Sequence, residues 1–379
     1  MRRQAGGSEA EGPEQRPAGR RRLSLAIGPA LLLAGCAVGP GPALPEPPAG
    51  AVRFSLLALG DTGRLPRLVL GRTFHRQSAV ARGLIAEDAR QPADALVLLG
   101  DNFYDDGLEP ARLVHQVREN LVRPYCRFVD PSGPRFPEVA SVCRLDAARR
   151  HVLPIHAVLG NHDYNTPRSP SLQRREVPRF VPNWHVPAGL VEVVEFPAGV
   201  SLVLLDSEAL VWGADPASLV RALRRSRGPW RVLAAHRPVA WAQDGQPGEP
   251  GGLRRYRETV LAAIREAGVP VQLAVAGHEH NLQIVEMDPP GPSLLVVAGS
   301  GSRVRDLDSS NPRMRFGRAS PGFARIDLAP GAAGEELVVS LFATSSVPAL
   351  ERGAPEAVAR WSVAANGEVR EWSAAAAAR

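Results

Sequence analysis

Leu96-Val97-Leu98-Leu99-Gly100-Asp101-Asn102-Phe103-Tyr104-Asp105-Asp106-Gly107 passes from hydrocarbon to polar chemistry within five residues. Four apolar residues closed by a turn former read as a strand buried on both faces that stops at the carboxyl edge of its sheet. Ligands of open α/β sheets gather at that edge. The Asp101 carboxylate and the Tyr104 phenol, three residues apart on one loop, can both turn toward one hard cation. Taken alone, the stretch suits an ordinary turn nearly as well, with Tyr104 as an anchoring aromatic and Asp105 and Asp106 as a solvated tip.

The same grammar recurs along the chain. An apolar run over 52–59 ends in Gly60-Asp61-Thr62-Gly63, one over 153–159 in Gly160-Asn161-His162-Asp163, and one over 231–235 at His236. A fourth, over 271–276, ends in Gly277-His278-Glu279-His280-Asn281. Helical spacing of apolar residues predicts helices over 75–91, 110–122, 215–227 and 253–267, the third capped by Asp215 with Pro216 at its first position. Further strands are expected over 190–196, 201–205, 293–298, 323–328 and 337–343, with a hairpin over 359–372 turning at Asn366-Gly367. Five strand ends thus deliver Asp, Asn, Tyr and His side chains. Oxygen and imidazole ligands without a thiolate suit hard or borderline cations.

The 379 residues suffice for one large domain or two ordinary ones, and 44% apolar with 22% charged residues describes a globular chain. The formal charge is +6, yet Lys is absent and all 45 basic residues are Arg. Without residues 1–35 the balance is 39 Arg against 36 acids, or +3, so a nucleic-acid partner is not expected. Residues 20–36 carry a basic patch, a twelve-residue apolar run interrupted by Pro29, then small residues and Cys36. This is the layout of an export signal, too short to span a bilayer. Leu33-Ala34-Gly35-Cys36 resembles the lipobox of bacterial lipoproteins, which implies a lipid on Cys36 and membrane attachment. Arg20-Arg21-Arg22-Leu23 is also similar to the twin-arginine export motif. Residues 36–50 read as a Pro/Gly-rich tether. In an exported protein Cys126 and Cys143 are expected to pair, which would stabilise the chain by about 3 kcal/mol; the alternative is two buried thiols.

GDTG at 60–63, GDNFY at 100–104, GNHD at 160–163, AAH at 234–236 and GHEHN at 277–281 together resemble the motif series of calcineurin-like metallophosphoesterases. The Tyr in GDNFY narrows the resemblance to the purple acid phosphatases, and the GHEHNLQ continuation to their small, mammalian-type branch. The resemblance implies an α/β fold, a four-layer α/β/β/α sandwich with two mixed sheets. It also implies two metal ions, one held by Asp61, Tyr104 and His280, the other by Asn161, His236 and His278, with Asp101 bridging. Two cations about 3.5–4 Å apart need a shared anion and can clamp a phosphoryl oxygen. A Tyr ligand that must lose its proton points to Fe3+ at the Tyr104 site, with Fe2+, Zn2+ or Mn2+ at the other.

The implied reaction is phosphomonoester hydrolysis by a metal-bound hydroxide, with His162 protonating the leaving group and Asp163 orienting His162. A phosphodiesterase or nucleotidase on the same metals, and a surface lipoprotein that binds metals without catalysis, are the alternatives. Asn102 and Asn281 are candidate phosphate donors. Arg237 stands where the mammalian-type pattern usually has an aromatic, and there it could recognise a second anionic group on a small phosphorylated substrate. His75, His115, His151, His156 and His185 are read as ordinary core or surface residues, with His185 the one to watch as a pocket residue. Asp206 is read as structural and Glu208 as uninformative. The expected organisation is a signal peptide over 1–35, a tether over 36–50, a metallophosphoesterase domain over 51–345, and a C-terminal hairpin with an Ala-rich tail over 346–379. The protein is expected as a monomer in the cell envelope or periplasm.

Overall fold

Side chains alternate across a strand, so a strand with apolar residues on both faces needs a core on each side. β1 (Phe54–Leu59) meets that requirement: Phe54, Leu56 and Ala58 face one core, and Leu57 and Leu59 face another. The computed structural model describes residues 44–63, 67–69, 72–74, 76–240, 251–307, 311–332, 334–345 and 355–372. The signal-like segment with Cys36, most of the tether and the Ala-rich tail lie outside them.

The strands that follow are β2 (Arg67–Val69), β3 (Arg72–Phe74), β4 (Ala95–Leu99), β5 (Ile155–Val158), β6 (Trp184–His185), β7 (Val191–Phe196), β8 (Val200–Leu205) and β9 (Trp230–Ala235). After them come β10 (Leu273–Ala276), β11 (Leu282–Glu286), β12 (Leu294–Ala298), β13 (Met314–Arg318), β14 (Gly322–Gly331), β15 (Gly334–Ala343), β16 (Glu356–Ala364) and β17 (Val369–Glu371). One sheet has the order β17-β16-β15-β14-β1-β4-β5-β6, the other β13-β11-β12-β10-β9-β8-β7. Each is mixed. β1, β4, β5 and β6 run parallel, as do β8, β9, β10 and β12, while the flanking strands are antiparallel. The short β2-β3 pair stands apart.

The inner faces of the two sheets share one core, which includes Leu56, Val97, Leu99, Leu202, Val275, Val296 and Ile326. Helix Arg76–Arg90 covers the outer face of the first sheet through Val80 and Leu84, together with the segment that follows β4. Helices Ala217–Arg225 and Gly251–Ala267 cover the second sheet. Their buried Leu219, Val220 and Leu223, and Tyr256, Val260, Ala263 and Ile264, recur at helical spacing. The result is the α/β/β/α arrangement expected.

Two local outcomes differ from the sequence reading. The helix expected over 110–122 is broken into a 3-10 turn, an α-helical turn, a π-helical stretch at Val117–Val122 and a final turn Arg123–Tyr125. Pro124 has no N–H for the carbonyl of Asn120, and the Gln77 side chain donates to that carbonyl instead at 2.7 Å. The C-terminal hairpin is no appendage, because β16 pairs with β15 from Glu336↔Ala364 to Ala343↔Glu356 and extends the first sheet. His185 is exposed and pairs with Glu192 at 2.8 Å. Cys126 and Cys143 form a disulfide. Nearby, Asp88 is fully buried and accepts from Arg127 at 2.7 Å and meets His151 at 2.9 Å, which ties this region to helix Arg76–Arg90.

His156, on β5, is buried with neither ring nitrogen hydrogen-bonded. Burial, and then the facing His185 ring, lower its pKa from 6.5 to about 4. Above pH 6.5 both folded and unfolded chains hold it neutral. As pH falls toward 4 only the unfolded chain gains the proton, so up to about 3 kcal/mol of stability is lost across that window. His156→Leu should therefore flatten the loss of urea midpoint between pH 7.5 and 4.5, and an unchanged pH slope would refute this account.

Candidate metal centre

The five motif loops converge at the carboxyl ends of β1, β4, β5, β9 and β10. Parallel strands β1, β4 and β5 bring Asp61, Asp101 and Asn161 to one edge of the first sheet; β9 and β10 bring His236, His278 and His280 to the matching edge of the second. Asp61, Asp101 and His278 have positive φ, at 58°, 52° and 69°. For residues other than Gly this conformation costs about 1 kcal/mol or more each, so the fold holds these side chains against a local preference.

Two triangles of donor atoms result. In the first, the Tyr104 hydroxyl is 2.8 Å from Asp61 Oδ1 and 3.1 Å from His280 Nε2, which is itself 3.0 Å from Asp61 Oδ1. In the second, Asn161 Oδ1 is 3.1 Å from both His236 Nε2 and His278 Nδ1, and those two nitrogens are 3.2 Å apart. Asp101 stands between them: its Oδ1 is 3.5 Å from His236 Nε2, and Asp61, Asp101 and His280 present donor atoms all within 4.8 Å of one another. All seven sequence-predicted ligands are thus assembled at one place.

This donor chemistry fits a cation. His236 Nδ1 lies 2.9 Å from the Leu99 carbonyl, which only accepts, so the ring proton sits there and Nε2 points a lone pair into the second triangle. Burial works against ionising Asp61, yet His280, His236 and Tyr104 hold its pKa below the usual carboxylate value. Burial, then the carboxylates of Asp61 and Asp101, push the Tyr104 phenol far above its usual range. His278 is driven well below its usual value by burial and by the neighbouring His236 and Arg237.

Glycines make room for these approaches. A Cβ at Gly160 would fall 2.2 Å from Asp101 Oδ1, and one at Gly100, whose φ is 85°, would fall 2.6 Å from His236 Nδ1.

Several residues hold positions other than those expected. Asp163 does not orient His162. It is fully buried and accepts from the backbone N–H groups of Asn102 at 3.1 Å, Phe103 at 3.2 Å and Gly160 at 3.0 Å, and from Gln173 Nε2 at 2.8 Å. It thereby locks the Asp101 loop to the Asn161 loop, and burial beside Asp101 raises its pKa to about 7. Asn102 is no phosphate donor, since its Nδ2 is taken by the Val158 carbonyl at 2.8 Å and by Gln173 and Asp163. Asn281 accepts from Gln283 at 2.8 Å.

His162 is oriented by Asp105 instead: its Nδ1 lies 2.5 Å from the Asp105 carbonyl, and its Nε2 lies 4.0 Å from Asp101 Oδ2. Arg237 is already engaged. Glu208 takes its Nε at 2.6 Å and Nη2 at 3.0 Å, and Nη1 is 3.1 Å from His278 Nε2. Glu208 is thus a support that the sequence reading passed over, and its only sequence signal was its place just after the end of β8.

A family model described as calcineurin-like phosphoesterase matches residues 54–282. The chain belongs to that family. It is 27% identical over 277 residues to purple acid phosphatase 17 of Arabidopsis thaliana, covering 68% of this chain and 71% of that protein. It is 25% identical over 317 residues to tartrate-resistant acid phosphatase type 5 of Sus scrofa, covering 75% and 82%. The solved structure of purple acid phosphatase PPD1 from yellow lupin shares the fold with a TM-score of 0.52 and 14% identity, covering 80% of this chain and 53% of that one. A chain of this calcineurin-like family, with phosphatase relatives and a cation-fitting donor cluster, is a phosphoesterase acting at a metal site.

Gly160→Ala should displace the Asp101 carboxylate, and elemental analysis of the purified protein should find metal content reduced by more than half. Gly189→Ala, where an added Cβ meets nothing within 4 Å, is the control and should leave metal content unchanged.

Proposed function

We propose that this protein is an exported, lipid-anchored acid phosphatase that hydrolyses phosphomonoesters at a dinuclear metal site. The observation that carries the proposal is the pair of donor triangles on either side of Asp101, with His162 Nε2 at their edge. Asp61, Tyr104 and His280 would hold one ion, Asn161, His236 and His278 the other, and Asp101 would serve both. When bound, the ions neutralise charge on the phosphoryl group and lower the pKa of a water into the nucleophilic range.

The chain's own residues supply the rest. With the His162 Nδ1 proton committed to the Asp105 carbonyl, Nε2 is the atom free to carry a second proton. As an imidazolium it donates that proton to the departing ester oxygen. Asp163 keeps the Asp101 and Asn161 loops together while this happens, and Glu208 fixes the Arg237 guanidinium behind His278. The Tyr104 hydroxyl beside Asp61 and His280 supports Fe3+ on its side, since a strongly polarising cation is needed to hold a phenol as phenolate; Fe2+, Zn2+ or Mn2+ suits the other side. Export and a lipid on Cys36 draw support from the 20–36 segment and from the disulfide, which belongs to an oxidising compartment.

The deciding test is hydrolysis of monoester and diester substrates by protein of measured metal content. Monoester turnover at acidic pH should exceed diester turnover at least about a hundredfold, a difference of roughly 3 kcal/mol in barrier; the reverse would make it a diesterase, and neither activity would leave a metal-binding lipoprotein. His162→Ala should lower kcat by about 10²–10⁴ with metal content intact, most for esters with poor leaving groups. Metal loss in that variant would mean that His162 supports the site and does not act in the reaction. Tyr104→Phe should remove a visible charge-transfer band from the purified protein. An active protein with neither iron nor colour would overturn the Fe3+ assignment.

A further inference from the structure

Two large apolar side chains are exposed among the described residues, Val152 at 46% and Trp212 at 62%. Val152 precedes β5 at the end of the sheet remote from the donor atoms. Trp212 closes the short helix Ser207–Val211, which begins one residue after Asp206 at the carboxyl end of β8. That helix is tied to the metal centre twice. Its Glu208 grips Arg237, whose Nη1 faces the ligand His278, and Asp206 takes a short hydrogen bond from the Tyr164 hydroxyl. Tyr164 shares the 3-10 turn His162–Tyr164 with the proposed proton donor.

The Trp212 and Tyr164 rings meet edge-on with centroids 4.8 Å apart. Tyr164 is anchored at its hydroxyl and, through the turn, at its backbone, so it holds Trp212 from one side and leaves the indole's remaining surface open to solvent. Tyr164 lies two residues after His162 and Trp212 one residue after the helix that carries Glu208, so the ring pair stands on segments that leave the carboxyl edge where the centre lies. A phosphate ester held on the donor triangles with its bridging oxygen toward His162 Nε2 would direct its organic group to the side of the centre on which Tyr164 follows His162. A planar ring there stacks on the exposed indole, whereas a short alkyl group covers little of it.

We infer that Trp212, held by Tyr164, forms a leaving-group subsite that selects phosphate esters bearing an aromatic ring. The inference rests on the phosphatase reading above and adds the class of its substrate. Offset or edge-on ring pairs account for about a three- to tenfold preference.

The test compares Trp212→Ala with the wild type on phenyl phosphate and on glycerol phosphate. The ratio of variant to wild type is taken for each ester, so that intrinsic leaving-group reactivity cancels. kcat/KM for phenyl phosphate should fall about three- to tenfold, chiefly through KM. The value for glycerol phosphate should change less than twofold, and Trp212→Phe should restore most of the loss. Equal losses on both esters, or none on either, would overturn the subsite.

Phenylphosphonate, which is not hydrolysed, provides a readout besides turnover. It should alter the tryptophan fluorescence of the wild type and not that of Trp212→Phe, while methylphosphonate should alter neither. A wild type that cleaves neither ester yet shows this phenylphosphonate response would defeat the phosphatase reading and leave the aromatic site standing. Cleavage of both esters without the response would do the opposite.

Discussion

The Asn161 Oδ1, His236 Nε2 and Asp101 acceptors are packed against one another in this protein, and the rest of the structure is arranged around that repulsion. Asn161 Oδ1, His236 Nε2 and His278 Nδ1 stand 3.1–3.2 Å apart, and Asp101 brings a carboxylate up beside them. Desolvated acceptors at such distances are costly without positive charge between them. A cation removes the cost, and without one the cluster would relax unless its backbone forbade it.

The backbone does forbid it. Candidate ligands leave the strand ends at positive φ, glycines admit close approaches that a Cβ would block, and the Asp163 carboxylate gathers N–H groups from two of the motif loops at once. Asp163 acts on the reaction through the placement of Asp101 and Asn161. Behind the second triangle, the Glu208 carboxylate plays the same part for Arg237. Burying that ion pair is tolerable because its geometry is bidentate, and the guanidinium nitrogens that face protein have partners.

The two sheets contribute differently. The first supplies oxygen ligands from parallel strands β1, β4 and β5, and the second supplies imidazoles from β9 and β10. Because the inner faces of both sheets share one core, with Leu99 and Val158 packed against Leu204, Ala234 and Val275, the oxygen and nitrogen halves are registered by hydrophobic packing. The centre therefore inherits its rigidity from a core that contains none of its ligands.

The sequence by itself picked out the candidate ligands and the strands that carry them, and the fold brings those side chains together. Apolar runs closed by Gly-Asp, Gly-Asn or a His are local patterns, and ligand type is a property of one side chain. Layer order came with the family resemblance that those motifs carry. The helix over 110–122 was misread because Pro124 just beyond it offers no N–H to the Asn120 carbonyl, which Gln77, a residue distant in sequence, serves instead. The supports were illegible for the same reason. Whether Asp163 would orient His162 or lock the Asp101 loop, whether Arg237 would meet substrate or Glu208, and whether the Asp105 carbonyl would sit in solvent or fix a histidine tautomer all depend on which loops come within 3 Å of each other. Only the packing of the two sheets decides that, because a hydrogen bond selects its partner by distance and direction and leaves no trace in the spacing of a motif.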